Sequence, residues 1–338
     1  MNLNKILIYL LFICLSFGQL QSFGWFYLHD LLIGLLIILN FRHLSLSRSS
    51  LFFILAGFFS LIINPLQLDF SNLLFASLYL FRWLLYAFLP SIFKVSRLNL
   101  RLILKIFILV LTVFGLLQYL FFPDTRFLFA SGWDDHYFRA ISTLFDPNYF
   151  GGLLVLGLIL FQFRWPSLIL LIALFLTYSR SSYLSLLAVI FSYSVLNKKY
   201  RYLLISLMFL VLPFLPRPGG DGVKLERLFS INQRLENYRF GWQVWQQYPI
   251  FGIGFNSLRY LRQDYSSHAA AGFDSSLLFV LVTTGVVGLV AYLNWLKSFW
   301  TQSQALKLTL IALLVHSCFQ NTLFYPWHLI WLWSITDS

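Results

Sequence analysis

The sequence predicts an all-α integral membrane protein, a polytopic bundle of about eleven or twelve spanning helices with one long extracytoplasmic loop. Three observations carry this. Of 338 residues, 59% are hydrophobic, 20% aromatic and only 11% charged, more apolar material than one soluble core can hide. Apolar runs near bilayer-spanning length recur along the chain. Basic and acidic residues fall on alternate connections.

The runs lie near 6–21, 24–41, 50–66, 71–93, 102–122, 148–164, 166–178, 181–196, 202–215, 274–296 and 306–321, with a short final segment near 324–335. The first follows Lys5 without a small-residue cleavage site, so it reads as a retained helix. The run at 166–178 is short for a span and reads as tilted or continuous with a broken neighbour. The 38 Phe and 11 Trp suit lipid-facing and interfacial positions. Residues 1–122 form an N-terminal set of helices, and residues 123–338 form the core that carries the chemistry.

Charge sets direction. With the N-terminus in the cytoplasm, Lys5, Arg42, Arg48, Lys94, Arg97, Arg101, Lys105, Arg164, Lys198, Lys199, Arg201, Lys297 and Lys307 share one side. Asp30, Asp69, Asp124, Asp134, Asp135, Asp146, Asp221, Glu226, Glu236, Asp264 and Asp274 share the other. The net charge of +12 is therefore mostly a positive-inside signal, and no nucleic-acid motif accompanies it. Arg82 is the one charge deep in a span, with Asp30 or Asp69 as its structural partner.

The long outer loop covers 216–273. It opens on the flexible "PRPGGDG" and continues through Arg234–Gln247, whose spaced aromatics and charges predict an amphipathic helix at the membrane surface. "YPIFGIG" then turns the chain back. The outer basic residues are Arg126, Arg139, Arg180, Arg217, Lys224, Arg227, Arg234, Arg239, Arg259 and Arg262. All but one are arginine, whose planar fork suits phosphate-type anions better than the point charge of lysine. Arg180 stands out. It interrupts "LFLTYSRSSYLSLLAVIF", where a central arginine costs roughly 2.5–3.5 kcal/mol on insertion scales.

Several classes are excluded. The chain has no phosphate-binding glycine loop, no dinucleotide fingerprint, no His-Glu-x-x-His zinc motif and no lipase-type nucleophile elbow. Cys14 and Cys318 sit inside apolar runs and make neither a disulfide framework nor a metal site. No cofactor is called for. An enzyme of this kind must take its energy from an already activated, lipid-linked donor.

Five patterns in order resemble the O-antigen ligase and polymerase superfamily of bacterial membrane glycosyltransferases. They are "RAISTLFDPNYFGGLL" (Arg139–Leu154), "TYSRSSYLSL" (Thr177–Leu186), "RLENYRFGWQVWQQYPIFGIG" (Arg234–Gly254), "FDSSLLFVLVTTGVVGLVAY" (Phe273–Tyr292) and "VHSCFQNTLFYP" (Val315–Pro326). The resemblance spans roughly Arg139 to Tyr325. It implies a GT-C-like membrane bundle in the bacterial cytoplasmic membrane, with its working face outside. It implies metal-independent, inverting glycosyl transfer from undecaprenyl diphosphate to an acceptor glycan, with a flippase or chain-length regulator as possible company. Arginines would hold the diphosphate leaving group.

On this reading Arg180 and Arg234 hold the leaving group, with Arg139 and Arg239 in support and Asn148 as a further substrate contact. Ligase-like members of the family begin the helix after the loop with His. Here Asp274, eleven residues before Gly285, holds that place and looks more polymerase-like. Asp274 is the candidate base for the acceptor hydroxyl, and His268 is an alternative only if the loop folds back. Plainer roles stand beside these: Asn148 as the cap of the helix beginning at Pro147, and Asp274 as the cap of the helix beginning at Ser275. The expected activity is polymerisation of lipid-linked repeat units into O-antigen, capsule or exopolysaccharide. The alternatives are ligation of finished polymer to an acceptor such as lipid A-core, transport of lipid-linked sugars, and a scaffold role in envelope assembly.

Overall fold

The structure is a computed structural model that describes residues 3–23, 26–216, 218–226, 228–264 and 272–336. It is 74% helical with almost no strand, which settles the all-α class. In chain order the helices are α1 (Leu3–Ser16), α2 (Leu28–Leu39), α3 (Arg48–Ile63), α4 (Phe70–Ala87), α5 (Leu89–Ser96), α6 (Leu100–Phe121) and α7 (Pro147–Phe161). There follow α8 (Ser167–Leu176), α9 (Arg180–Leu196), α10 (Phe229–Gln247), α11 (Leu258–Arg262), α12 (Ser276–Trp300), α13 (Gln304–Ser317) and α14 (Pro326–Ser334). Every apolar run of the sequence becomes a helical segment.

Among the described residues three stretches are long and apolar enough to cross a bilayer: Phe70–Ser96 (α4 with α5), Leu100–Phe121 and Ser276–Trp300. The others are shorter apolar segments. Their outer faces carry large bare side chains, such as Ile62 at 75% and Ile38 at 68% exposure. A surface of this kind belongs in lipid, so the protein is membrane-embedded and multi-pass.

The expected α-helix at 202–215 is instead a 3-10 helix, Tyr200–Phe214, with Pro213 inside it and no buried residue. The geometry has a consequence for reach. At about 2 Å per residue this segment extends roughly 30 Å, a full hydrocarbon thickness, where an α-helix of equal length would reach only about 22 Å.

The chain divides into two compact units: Met1–His29, Asn99–Leu228 and Gln304–His316 form one, and Asp30–Leu98, Phe229–Ser303 and Ser317–Ser338 the other. In the first unit α7 is the central element. It packs against α6, α8 and α9, and all of it from Phe150 to Leu160 is buried, so it can be apolar all round. The 3-10 segment lies along α9.

In the second unit α12 packs along α3 and α10. Its core is aromatic: Phe53 meets Trp83 edge-on at 4.9 Å, Trp83 meets Trp295 at 5.2 Å, and Tyr292 stacks on Phe324 at 5.4 Å. Trp83, Trp295, Trp327, Trp331 and Trp333 are all buried. Much of the tryptophan is thus core, not the lipid-facing or interfacial material its abundance suggested. Arg82 pairs with Asp30, Nε to Oδ1 at 2.8 Å, and shares that carboxylate with the Tyr86 hydroxyl. Asp69 has another task, accepting the Asn72 amide at 2.7 Å as the cap of α4.

The sequence "YPIFGIG" does more than turn the chain. Helix α12 breaks at Gly285, whose backbone (φ 64°, ψ −167°) is non-helical. A break leaves amides and carbonyls without intrahelical partners, which is costly inside a membrane. The segment Pro249–Gly254 supplies them. Val286 and Val287 donate to the carbonyls of Pro249 and Ile250, while Ile253 and Gly254 donate to those of Val282 and Thr283, all at 2.9–3.2 Å. A Cβ on Gly252 would lie 2.5 Å from the Thr283 carbonyl carbon, so the motif is glycine where two backbones touch.

Candidate functional site

In the first unit, four helix ends meet around the Ser-Arg motif. Helix α8 stops at Thr177, Tyr178 takes a left-handed conformation (φ 51°), and Ser179 caps α9 by accepting the Ser182 amide. Arg180 is therefore the first residue of α9, where the helix dipole also favours an anion. The turn is anchored from outside. The buried Tyr178 donates its hydroxyl to the Pro216 carbonyl, and Arg139 donates Nε to the Thr177 carbonyl at 2.8 Å. Arg180 is half-buried and donates Nη1 to the Leu225 carbonyl at 3.1 Å, tying it to the stretch after the loop entry.

Asn148 does not cap α7. Asp146 does, accepting the amides of Asn148 at 2.6 Å and Tyr149 at 3.0 Å. Burial pushes the Asp146 carboxyl above its ordinary range, opposed by those amides and by the Arg139 charge. The capping role expected of Asn148 thus belongs to its neighbour, because the residue before the helix-opening Pro147 has the extended backbone that a cap needs. The Asn148 side chain is left to accept from Ser179 Oγ at 2.9 Å. Three buried serines and a histidine complete the cluster. Ser182 Oγ donates to Ser179 Oγ at 2.9 Å, and His316 Nε2, at the end of α13, lies 3.1 Å from Ser182 Oγ and 3.3 Å from Ser181 Oγ. Gly151 admits them: a Cβ there would sit 2.4 Å from Ser182 Oγ.

The second unit holds the other sequence-predicted residues. Asp274 does not cap α12; Ser275 does, accepting the Leu278 amide. The helix starts one residue later than expected, so the side chain positioned for capping is the serine. Asp274 Oδ2 instead accepts from Asn237 Nδ2 at 2.9 Å, and Asn237 Oδ1 accepts from Arg262 Nη2 at 2.8 Å. Arg262 lies over the Phe240 and Phe273 rings, at 5.3 and 5.1 Å from their centroids. Burial pulls its guanidinium below the ordinary value, and Asp274 and Asp264 oppose that shift. Among the described residues Asp274 Oδ1 has no hydrogen-bond partner.

Arg234 donates Nε to the Phe319 carbonyl at 3.2 Å, and Tyr238 donates its hydroxyl to the Cys318 carbonyl. Helix α10 buries Gly241 and Val244 against α12 and leaves Arg239 exposed beside Tyr238, Trp242, Gln243 and Gln246. His268 lies outside the described residues. Among the described residues no three His, Cys, Asp or Glu side chains are grouped to hold a metal ion. Cys14 is buried and Cys318 exposed, so only the first behaves as the buried hydrophobe expected.

Sequence reading missed His316, Asn237 and Ser275. His316 carried one signal, a polar ring inside the otherwise apolar run "LIALLVHSCF". Asn237 lies three residues after Arg234, on the same side of α10, but nothing local names its partner.

No curated protein matches the chain. The family described as O-antigen ligase matches residues 165–293. That stretch holds Arg180, Arg234, Arg239 and Asp274, and leaves Arg139, Asn148 and His316 outside it. Over that segment the chain is similar to the family described as O-antigen ligase.

Proposed function

We propose that the protein polymerises lipid-linked oligosaccharide repeat units at the outer face of the bacterial cytoplasmic membrane. The donor is a glycan on undecaprenyl diphosphate. An acceptor hydroxyl attacks the anomeric carbon from the side opposite the diphosphate, the C–O bond to the diphosphate breaks, and configuration inverts. The acceptor proton passes to a carboxylate, and the electron pair leaves with the diphosphate.

The observation that carries this reading is the Ser179–Arg180 corner. A half-buried arginine opens α9 in a membrane protein, held by a carbonyl and flanked by an asparagine drawn in by Ser179. A diphosphate leaving group at this level accounts for the insertion cost of Arg180, since fixed positive charge stabilises departing negative charge. The charge asymmetry of the connections supports the outward direction of this corner. Arg234 is proposed as an anion contact on the strength of its motif. Asp274 is proposed as the base: its Oδ2 is fixed by Asn237, and a base must be held in place before its basicity matters.

Ligation is the second reading, favoured by the description of the matched family. Aspartate in place of the ligase-type histidine supports polymerisation. Purified protein in nanodiscs, supplied with an oligosaccharide on undecaprenyl diphosphate, separates the readings. Longer glycan on the lipid carrier is the expected result. Transfer only to an added lipid A-core acceptor would make it a ligase, and movement of unchanged lipid across the bilayer would make it a transporter.

A further inference from the structure

We propose that His316 is a positioning residue: acting through Ser182 and Ser179, it orients the side-chain amide of Asn148 so that Nδ2 faces the diphosphate of the donor. The inference rests on the proposed function for the identity of the anion and on proton counting for the geometry.

Ser179 Oγ is crowded with donors. It accepts the Ser182 amide at 3.4 Å and the Ser182 hydroxyl at 2.9 Å, the nearer of two acceptors for that one proton, since the Asn148 carbonyl lies at 3.3 Å; Ser181 Oγ is 3.1 Å away. A hydroxyl oxygen has two lone pairs and one proton. With its lone pairs occupied, Ser179 can only donate onward, and the atom facing it at 2.9 Å must be an acceptor. That fixes an amide whose two ends are otherwise interchangeable in shape: Oδ1 points to Ser179 and Nδ2 points away. Among the described residues Nδ2 has no hydrogen-bond partner, so a donor at the Ser179 turn is left for a ligand that accepts.

His316 gives the chain its direction. It is 1% exposed and its Nε2 reaches Ser182 Oγ at 3.1 Å. When Nε2–H donates to Ser182, that serine has its own proton for Ser179, and Ser179 has its proton for Asn148. Without the ring, Ser182 can rotate and accept in place of donating, and the amide of Asn148 is free to turn its oxygen to the anion. The gain is one correctly directed donor to a charged group, about tenfold in anion affinity.

The test is a double-substitution cycle on the full-length protein in nanodiscs, reading the dissociation constant of inorganic diphosphate by calorimetry. His316→Phe should weaken binding about tenfold in the wild-type background and have no further effect in an Asn148→Ala background. His316→Gln, whose amide can donate at the same place, should restore most of the affinity. Thermal unfolding is followed for every variant. Should His316→Phe fail to fold, Ser182→Ala paired with Asn148→Ala runs the same cycle. Additive losses overturn the proposal, as does full affinity in His316→Phe or no diphosphate binding by the wild-type protein. Glycan transfer is measured on the same samples. A cycle that holds in a protein without transfer overturns the proposed function and leaves the relay standing, whereas transfer with additive losses overturns only the relay.

Discussion

Asp274 is held by Asn237, Oδ2 to Nδ2 at 2.9 Å, while the capping of α12 falls to Ser275. The base candidate is therefore separate from helix stability. Asp274→Asn keeps an oxygen for Asn237 to donate to, so the protein should unfold at an unchanged temperature while turnover falls at least about 100-fold, the lower end of what general bases supply. Ser275→Ala should do the reverse, losing about 1 kcal/mol of stability with turnover retained. Glycan length and thermal midpoint are read on both. Full turnover in Asp274→Asn would remove Asp274 from the chemistry.

The leaving-group role proposed for Arg180 predicts that Arg180→Ala lowers polymer formation by at least about 100-fold, the scale set by losing one preorganised donor at a developing anion. Membrane abundance should stay near normal. Arg180→Lys should also be poor, because a point charge cannot make the bidentate contact. Lys224 is a useful control. It is exposed, pairs with Asp221 at 2.7 Å, and Lys224→Ala should be mild. Equal losses at both positions would indicate diffuse charge attraction in place of a defined contact.

The break in α12 makes a prediction about folding. A side chain on Gly285 would place Cβ 2.1 Å from the Ile250 carbonyl oxygen, on a backbone with φ of 64°. Backbone strain alone costs roughly 1–3 kcal/mol, and the clash adds to it. Gly285→Ala should abolish folded protein in detergent, measured by monodisperse yield. Gly34→Ala, where nothing lies within 4 Å of the added carbon, should fold as well as the parent or slightly better.

Asp146 predicts a pH effect. Burial raises its folded pKa above the unfolded value, so the folded state holds this proton more tightly. The stability that results is present below the ordinary carboxylate range and is lost as pH rises through the raised value. Asp146→Asn caps as well but has no charge to bury. Its thermal midpoint, relative to the parent, should climb as pH passes from acid to neutral. Asp146→Ala should lose about 1 kcal/mol at neutral pH through the missing cap. A flat difference between Asn and Asp across pH would show that burial of this carboxyl does not matter.

Local period and local charge are legible in the order of amino acids alone. Apolar runs of near-bilayer length fixed the helical segments, since each must satisfy its own backbone in lipid. Arg180 was legible because an arginine in such a run is costly and so demands a reason. The tertiary structure decided which side chains serve which partners. Asn148 lost its capping role to Asp146 and met Ser179, 31 residues away; Asp274 lost its own to Ser275 and met Asn237, 37 residues away. His316 reaches Ser182 across 134 residues, and Gly285 breaks α12 where a remote loop supplies the missing backbone partners. A hydrogen bond is decided by angstroms and by the count of protons and lone pairs at each atom. Sequence spacing sets those only within a turn of helix, and beyond that the packing of whole helices sets them.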